Sequence, residues 1–202
     1  NAISVPSITL KNLVSLKDVT YFYDSTINEL TIENSALEYL YGFNNSTIKT
    51  INLKNIESFT TIPYSAVNYS ALENFNIENV PNIHTIQGSA FAGTNISSFD
   101  IQEYPNLEVI ESSAFYQTKL TELNISNHEN IKSIGGTSFN ETPIQNVIIE
   151  NNPNLETIGD SAFSQTNLKN ILVKGCPKLE VLGTVNGYNN SDFMTNEERF
   201  MQ

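Results

Sequence analysis

A single cysteine, Cys176, is all the sulfhydryl chemistry the chain has, so no disulfide can close within it. Cations are scarce too: Lys and Arg number 10 against 22 Asp and Glu, a formal net charge of −12. That balance repels phosphate backbones, and no Lys/Arg cluster offsets it. It argues against nucleic acid, and against an anionic membrane surface, as a partner. No apolar run approaches the roughly 20 residues that span a bilayer, so no transmembrane segment is expected. The start has no charged stretch followed by an apolar one, hence no signal peptide. It opens on Asn1 rather than Met, as a processed or trimmed form would.

The patterns that carry catalysis are equally absent. His84 and His128 fall at different positions of the repeat described below, and each is expected as a solvated surface histidine. There is no His-Glu-x-x-His, no Cys-x-x-Cys and no glycine-rich phosphate loop. Serines are many, yet none sits in a Gly-x-Ser-x-Gly elbow. Cys176 shares a repeat position with Ile56, Val80, Tyr104 and Asn152 and is expected as a small packing residue, and nothing near it in sequence would lower its pKa to make a reactive thiol. The expectation is therefore a non-catalytic protein with no cofactor and no metal. Asn-x-Ser/Thr sequons start at Asn44, Asn45, Asn68, Asn95, Asn124, Asn140 and Asn189, but Asn, Ser and Thr are abundant enough to produce most of these by chance.

What the chain does have is an internal repeat. Six units, starting at Ile48, Leu72, Ile96, Leu120, Ile144 and Leu168, follow one another every 24 residues. First, fourth and sixth positions are apolar, as in Ile48/Ile51/Leu53, Leu72/Phe75/Ile77 and Ile96/Phe99/Ile101. Asparagine holds the eighth position at Asn55, Asn79, Asn127 and Asn151, with Glu103 and Gly175 as exceptions. Two looser units, around Val5/Ile8/Leu10 and Ile27/Leu30/Ile32, precede these and end on Asn12 and Asn34. Alternation at period two predicts a short half-buried strand at the head of every unit. The recurrent Asn suits a side-chain amide that satisfies backbone groups of the following turn. Pro-Asn pairs at Pro81-Asn82, Pro105-Asn106 and Pro153-Asn154 then bend the chain. Each unit closes on a small residue and a phenylalanine, as in Ala90-Phe91, Ala114-Phe115, Ser138-Phe139 and Ala162-Phe163. One unit cannot bury its own apolar face, whereas stacked units share a continuous core. At about 4.8 Å per strand, eight turns give a body about 40 Å long.

The pattern resembles the BspA-type leucine-rich repeats, whose units pair a leucine-rich strand with an Ile-Gly-x-Ser-Ala-Phe segment. Ile158-Gly159-Asp160-Ser161-Ala162-Phe163 carries that segment here, and Ile134-Gly135-Gly136-Thr137-Ser138-Phe139 follows it closely. The resemblance covers residues 5 to 187, and the segment decays at the end to Leu182-Gly183-Thr184-Val185-Asn186-Gly187. Many relatives carry Cys a few residues past the phenylalanine. Thr94, Thr118, Thr142 and Thr166 stand there in this chain, which replaces a thiol ladder with a hydroxyl ladder. The resemblance implies a leucine-rich-repeat solenoid, mainly β with little helix, of about eight turns. It also implies a secreted or cell-surface location and an adhesion role.

Domain boundaries follow at 5–191 for the solenoid and 192–202 for a C-terminal tail. In the tail Phe193, Met194, Phe200 and Met201 recur at helical spacing, and Thr195 and Glu198 have capping-box spacing, so a short cap over the open end is expected. Between the buried strand positions, the second, third, fifth and seventh residues should face outward in columns. Those columns supply the expected partner-binding face: Asn52, Lys54, Asn76, Glu78, Asp100, Gln102, Glu122, Asn124, Ile148, Glu150, Leu172 and Lys174. An acidic band through Glu73, Glu78, Asp100, Glu122 and Glu150 lies between the lysine pairs Lys49/Lys54 and Lys169/Lys174. Ile148 and Leu172 turn the fifth column apolar, which fits a contact site or a surface covered by the tail. The function expected is protein binding or adhesion through this concave strand face. Two alternatives stand beside it: a structural spacer or stalk within a larger surface protein, and a carbohydrate-binding module, which would need aromatic platforms these columns lack.

Overall fold

The computed structural model describes residues 4–23 and 25–183. Within them the chain winds as a mainly-β solenoid with no α-helix. Seven long strands line one side, here called the front: β1 (Ser4–Lys11), β3 (Thr26–Glu33), β5 (Thr50–Lys54), β7 (Asn74–Glu78), β10 (Glu122–Ser126), β12 (Asn146–Glu150) and β14 (Asn170–Lys174). Two-residue strands line the back: β2 (Asp18–Val19), β4 (Tyr39–Leu40), β6 (Thr61–Ile62), β8 (Thr85–Ile86), β9 (Val109–Ile110), β11 (Ser133–Ile134), β13 (Thr157–Ile158) and β15 (Val181–Leu182). Every pairing is parallel and joins equivalent positions of neighbouring units, as Ile51 with Phe75 and Ile149 with Val173. The expected alternation is clear in β5, β10 and β12, where the fourth and sixth residues are buried.

The phenylalanines form the spine that their spacing predicts. Phe91, Phe115, Phe139 and Phe163 are at most 1% exposed, and successive ring centroids lie 5.2, 5.2 and 5.6 Å apart in stacked pairs. Phe22 stacks on Phe43 at 4.8 Å to start the spine, and Val67 takes the place between Phe43 and Phe91. Burying each ring contributes about 1.5–3 kcal/mol.

The asparagine column works differently from the expectation. Asn12, Asn34, Asn55, Asn79, Asn127 and Asn151 all have left-handed backbones, with φ between 53° and 58°. Asparagine tolerates that conformation better than most residues. Their side-chain amides bond to one another rather than to the turn, from Asn34 Nδ2 to Asn12 Oδ1 at 2.8 Å, Asn55 to Asn34 at 3.0 Å and Asn79 to Asn55 at 2.9 Å. Asn151 repeats this with Asn127 at 3.1 Å. Gly175 meets the same backbone demand with φ +66°. A second amide column, not anticipated, comes from the three Pro-Asn turns and the equivalent Glu129-Asn130. Asn82, Asn106, Asn130 and Asn154 each donate to a carbonyl of the preceding turn at 2.7–2.9 Å.

The threonine hydroxyls also depart from the ladder expected of them. Thr94, Thr118, Thr142 and Thr166 each donate to the carbonyl of the phenylalanine three residues earlier, closing their own turn. The Ile-Gly step has a steric cause. A Cβ on Gly135 would sit 2.4 Å from Ser112 N, so the stacked backbones there leave no room for a side chain.

One turn breaks the pattern. Ile96, Phe99 and Ile101 were expected to head a strand, but residues 97–100 form none and Ile101–Glu103 is a short 3₁₀ turn. Asp100 caps it by accepting from Gln102 N at 2.9 Å, and Tyr104 N closes it on Ile101 O at 2.9 Å. The front is therefore two sheets, β1-β3-β5-β7 and β10-β12-β14. The back sheet β6-β8-β9-β11-β13-β15 runs through without a break. The expected tail at 192–202 lies outside the described residues.

Candidate functional site

Built up from the strands, the front face presents the anticipated columns outward. Asn76, Glu78, Asp100, Gln102, Glu122, Asn124, Ile148 and Lys174 are exposed, while Asn52, Lys54, Glu150 and Leu172 are half-buried. The columns differ in how free they are. Asn52 donates to Glu29 at 2.8 Å and to Thr31 at 3.1 Å, and Asn76 donates to Asn52 at 2.8 Å. On this half, the fifth-position amides are tied along the sheet.

The acidic band is not uniform either. Its outer members have lysine partners from the neighbouring turn: Lys54 with Glu78 at 2.8 Å, Lys49 with Glu73 at 3.8 Å and Lys174 with Glu150 at 3.9 Å. These pairs are largely exposed and worth little in stability, yet they cancel charge locally. Asp100, Glu103 and Glu122 have no ion pair among the described residues. The uncompensated part of the band is thus the turn without a strand together with the head of β10 that follows it. Lys169, expected to bracket the band, bonds to Gln145 Oε1 at 2.8 Å instead.

At that turn the face opens into a cleft of about 680 Å³. Glu73, Asn76, Asp100, Glu103, Glu122 and Asn124 are on its walls. Aromatic side chains make its floor. Phe75 and Ile77, expected in the core, are half-buried because no strand covers the far edge of β7. Phe99 is half-buried as well and packs against Phe115 at 4.8 Å and Tyr104 at 5.3 Å. Burial, reinforced by the charge of Asp100, pushes the Glu103 carboxyl above its ordinary range. Burial likewise raises the Tyr104 phenol, with Glu103 adding to the shift. The cleft can accordingly take apolar side chains below and cationic groups at its rim.

Beneath the C-terminal wall lies a polar core element that the sequence reading placed on the surface. His128 is 3% exposed, not solvated. Its Nδ1 accepts from Ile131 N at 3.1 Å, which puts the ring proton on Nε2, 2.9 Å from the Tyr104 carbonyl. Asn152, fully buried, accepts from His128 N at 2.9 Å and donates to Ile125 O at 2.6 Å. The ninth repeat position, Ile56 and Val80 in earlier units, has become hydrogen-bonding in these. The sequence signal was there: His128, Asn152 and Cys176 occupy one column, and only the last was read as packing. Cys176 is half-buried, and burial raises its thiol pKa, so it has no activated-thiolate character. His84 is exposed, as expected.

Among the described residues, no three His, Cys, Asp or Glu side chains gather to hold a metal ion. No described helix is long and apolar enough to cross a membrane. Tyrosines missing from the front columns appear on a flank. Tyr64 and Tyr69 are 68% and 52% exposed, and the Tyr116 hydroxyl donates to Glu141 at 2.8 Å. Of the sequon residues, Asn140 is only 6% exposed, which leaves no room for a glycan, whereas Asn124 is exposed on the front face.

Stacked parallel strands, a regular 24-residue period, an aromatic spine and amide ladders define a leucine-rich-repeat solenoid. The chain belongs to the BspA type leucine-rich repeat family, whose repeat region, in six copies, matches residues 1–106 and 60–184. No curated protein and no solved structure gives a match. Solenoids of this kind are commonly binding modules, because each turn adds to a continuous surface while contacting only its neighbours.

Proposed function

We propose that the chain is a non-catalytic protein-binding module that uses its front face for contact, at a cell surface or in secreted form. The observation that carries this reading is the cleft at residues 97–103. Among the described residues, it is the one place on the front where uncompensated carboxylates, half-buried aromatic rings and irregular backbone coincide. A protein partner fits better than a sugar. Carbohydrate recognition favours flat exposed aromatic platforms beside hydrogen-bonding groups, whereas the cleft's Phe75 and Phe99 are recessed. Ile148, 38% exposed and paired across the strands with Leu172, extends the apolar contact area toward the C-terminal side.

The test starts from a partner selected on the folded chain out of a displayed protein library. Face variants Asn124→Arg, Ile148→Glu and Leu172→Glu are compared with flank variants Tyr64→Ala, Tyr69→Ala and Tyr116→Ala. Loss of binding in the face set, with the flank set unaffected and all variants melting normally, supports the front face. The reverse pattern moves the site to the tyrosine flank and revives the carbohydrate alternative. If neither set alters binding, the spacer role becomes the better account.

A further inference from the structure

We propose that the gap between β7 and β10 is a docking slot for one extended, basic peptide segment of a partner protein, which enters as the missing strand of the front sheet. The inference deepens the front-face reading above and rests on it.

Width comes from the back of the coil. There β8 pairs with β9 and β9 with β11, so the turns on either side of residues 97–103 are held two strand spacings apart, about 9.6 Å. That is the separation of two strands with one strand between them. In front, β7 is paired on one side only, with β5, and β10 on one side only, with β12. Each therefore turns an unpaired row of backbone donors and acceptors into the gap. The segment of that turn, residues 97–103, pairs with neither edge. Glu103 N and Tyr104 N bond to Asp100 O and Ile101 O within the 3₁₀ turn, not to β7 or β10. Only one side-chain bond reaches across to β10, from Gln102 Nε2 to Ser126 O at 2.9 Å.

Shape selects a single chain. Two facing edges one strand apart exclude a second sheet, so a second copy of this protein cannot pair there as it could at an open edge. Chemistry selects the sequence of that chain. A strand alternates its side chains, so one set would lie on Phe75 and Phe99 and the other would stand beside Glu122, Asp100 and Glu103. Apolar residues suit the first set and lysine or arginine the second. The asparagine column adds a specific position. It runs to Asn79, skips Glu103 and resumes at Asn127, so an Asn in the guest at that level would rejoin the ladder.

The probe is a short, fluorescently labelled peptide alternating lysine and valine, titrated against the full chain and followed by anisotropy. Two controls accompany it: the same peptide with glutamate for lysine, and the same peptide N-methylated at alternate residues. The expected result is saturable binding by the lysine peptide, weakened about tenfold or more by either change. Binding should also slow amide hydrogen exchange at 74–78 and 122–126, and Glu122→Gln should weaken it without altering the melting temperature. No saturable binding overturns the proposal. Equal affinity for the N-methylated peptide, or protection at 97–102 in place of the strand edges, overturns it as well. The first would mean charge attraction alone, the second closure of the slot by its own segment. Any of these results leaves the front-face reading standing, because that reading fails only by its own face and flank variants.

Discussion

Asn55 illustrates how much one position must supply at the scale of the residue. Its backbone is left-handed at φ 53°, which costs most L-residues about 1–2 kcal/mol. Its amide also continues a ladder up and down the coil, accepting from Asn79 and donating to Asn34. Few side chains meet both demands, which is why the column is so uniform. Phe115 carries a different kind of load. It is fully buried and packs against three other aromatic rings, Phe91, Phe99 and Phe139, between 4.8 and 5.2 Å from its centroid. Phe115→Ala removes that packing and leaves a cavity, so it should cost about 3–5 kcal/mol. Chemical denaturation compared with the parent measures this. Because Phe115 also lines the cleft, the variant's loss of stability should come with altered exchange of the 97–103 segment.

At the scale of the element, the informative contrast is between the two exceptions to the eighth-position asparagine. Gly175 adopts the same left-handed backbone, and the strand before it, β14, forms in register with β12. Glu103 does not, and its unit has no strand. Glycine preserves the backbone and gives up only the side chain. Glutamate suits neither, and Asp100 three residues earlier offers a competing cap for a 3₁₀ turn. Removing the cap with Asp100→Ile, matching Ile148 in the same column, and restoring the ladder with Glu103→Asn should therefore favour the strand and fill the cleft with the chain's own backbone. The expected readouts are a higher melting temperature, slower exchange at 97–102, and loss of whatever binds in the cleft. An unchanged exchange rate would mean that Tyr104, or the packing of Phe99, dictates the turn instead.

The same contrast explains what could be read from the sequence. Strand positions, the phenylalanine spine and the outward columns follow from spacing alone, since burial enforces a strict period. Glu103 was visible as an exception, but its consequence depended on how a local cap competes with a distant ladder. His128 was misplaced for a related reason. Its neighbours in sequence are polar, while its surroundings are set by Tyr104, Ile131 and Asn152, two of them a full turn away. The column of Asn82, Asn106 and Asn154 is hidden in the sequence because proline beside asparagine already accounts for a bend, and Asn130 after Glu129 carries no turn signal beyond its register.

At the scale of the whole molecule, the described residues form an acidic solenoid whose front is divided at residues 97–103, while the back sheet runs unbroken past that point from β6 to β15. Its response to pH follows from which carboxylates are paired. Hydrogen bonds from Lys11 and Lys132 hold the Glu33 and Glu108 carboxyls below their ordinary range. Gln117, then Tyr116, does the same for Glu141. A carboxyl depressed in the folded state contributes stability above its unfolded value and loses it as pH falls through the folded one. Glu103 has the opposite sign, since its raised carboxyl favours the fold below the unfolded value and weakens it as pH rises. Relief of repulsion within a net charge of −12 acts in the same direction as Glu103. The melting temperature should hence rise as pH is lowered from neutrality, pass a maximum in mild acid, and fall as the paired carboxylates protonate. A thermal-melt series across pH tests this, and Glu103→Gln should flatten the neutral-side slope.

The division of the front beside a back sheet that runs unbroken from β6 to β15 is the feature on which the functional reading depends, and amide hydrogen exchange tests it most directly. Amides of the long strands at 50–54 and 146–150, and those of the back strands at 109–110 and 133–134, should be strongly protected. Residues 97–100, in the same turn as the protected pair at 109–110, should exchange at nearly the rate of unstructured chain. Protection at 97–100 equal to that at 146–150 would mean a complete front sheet with no slot, and would contradict the account.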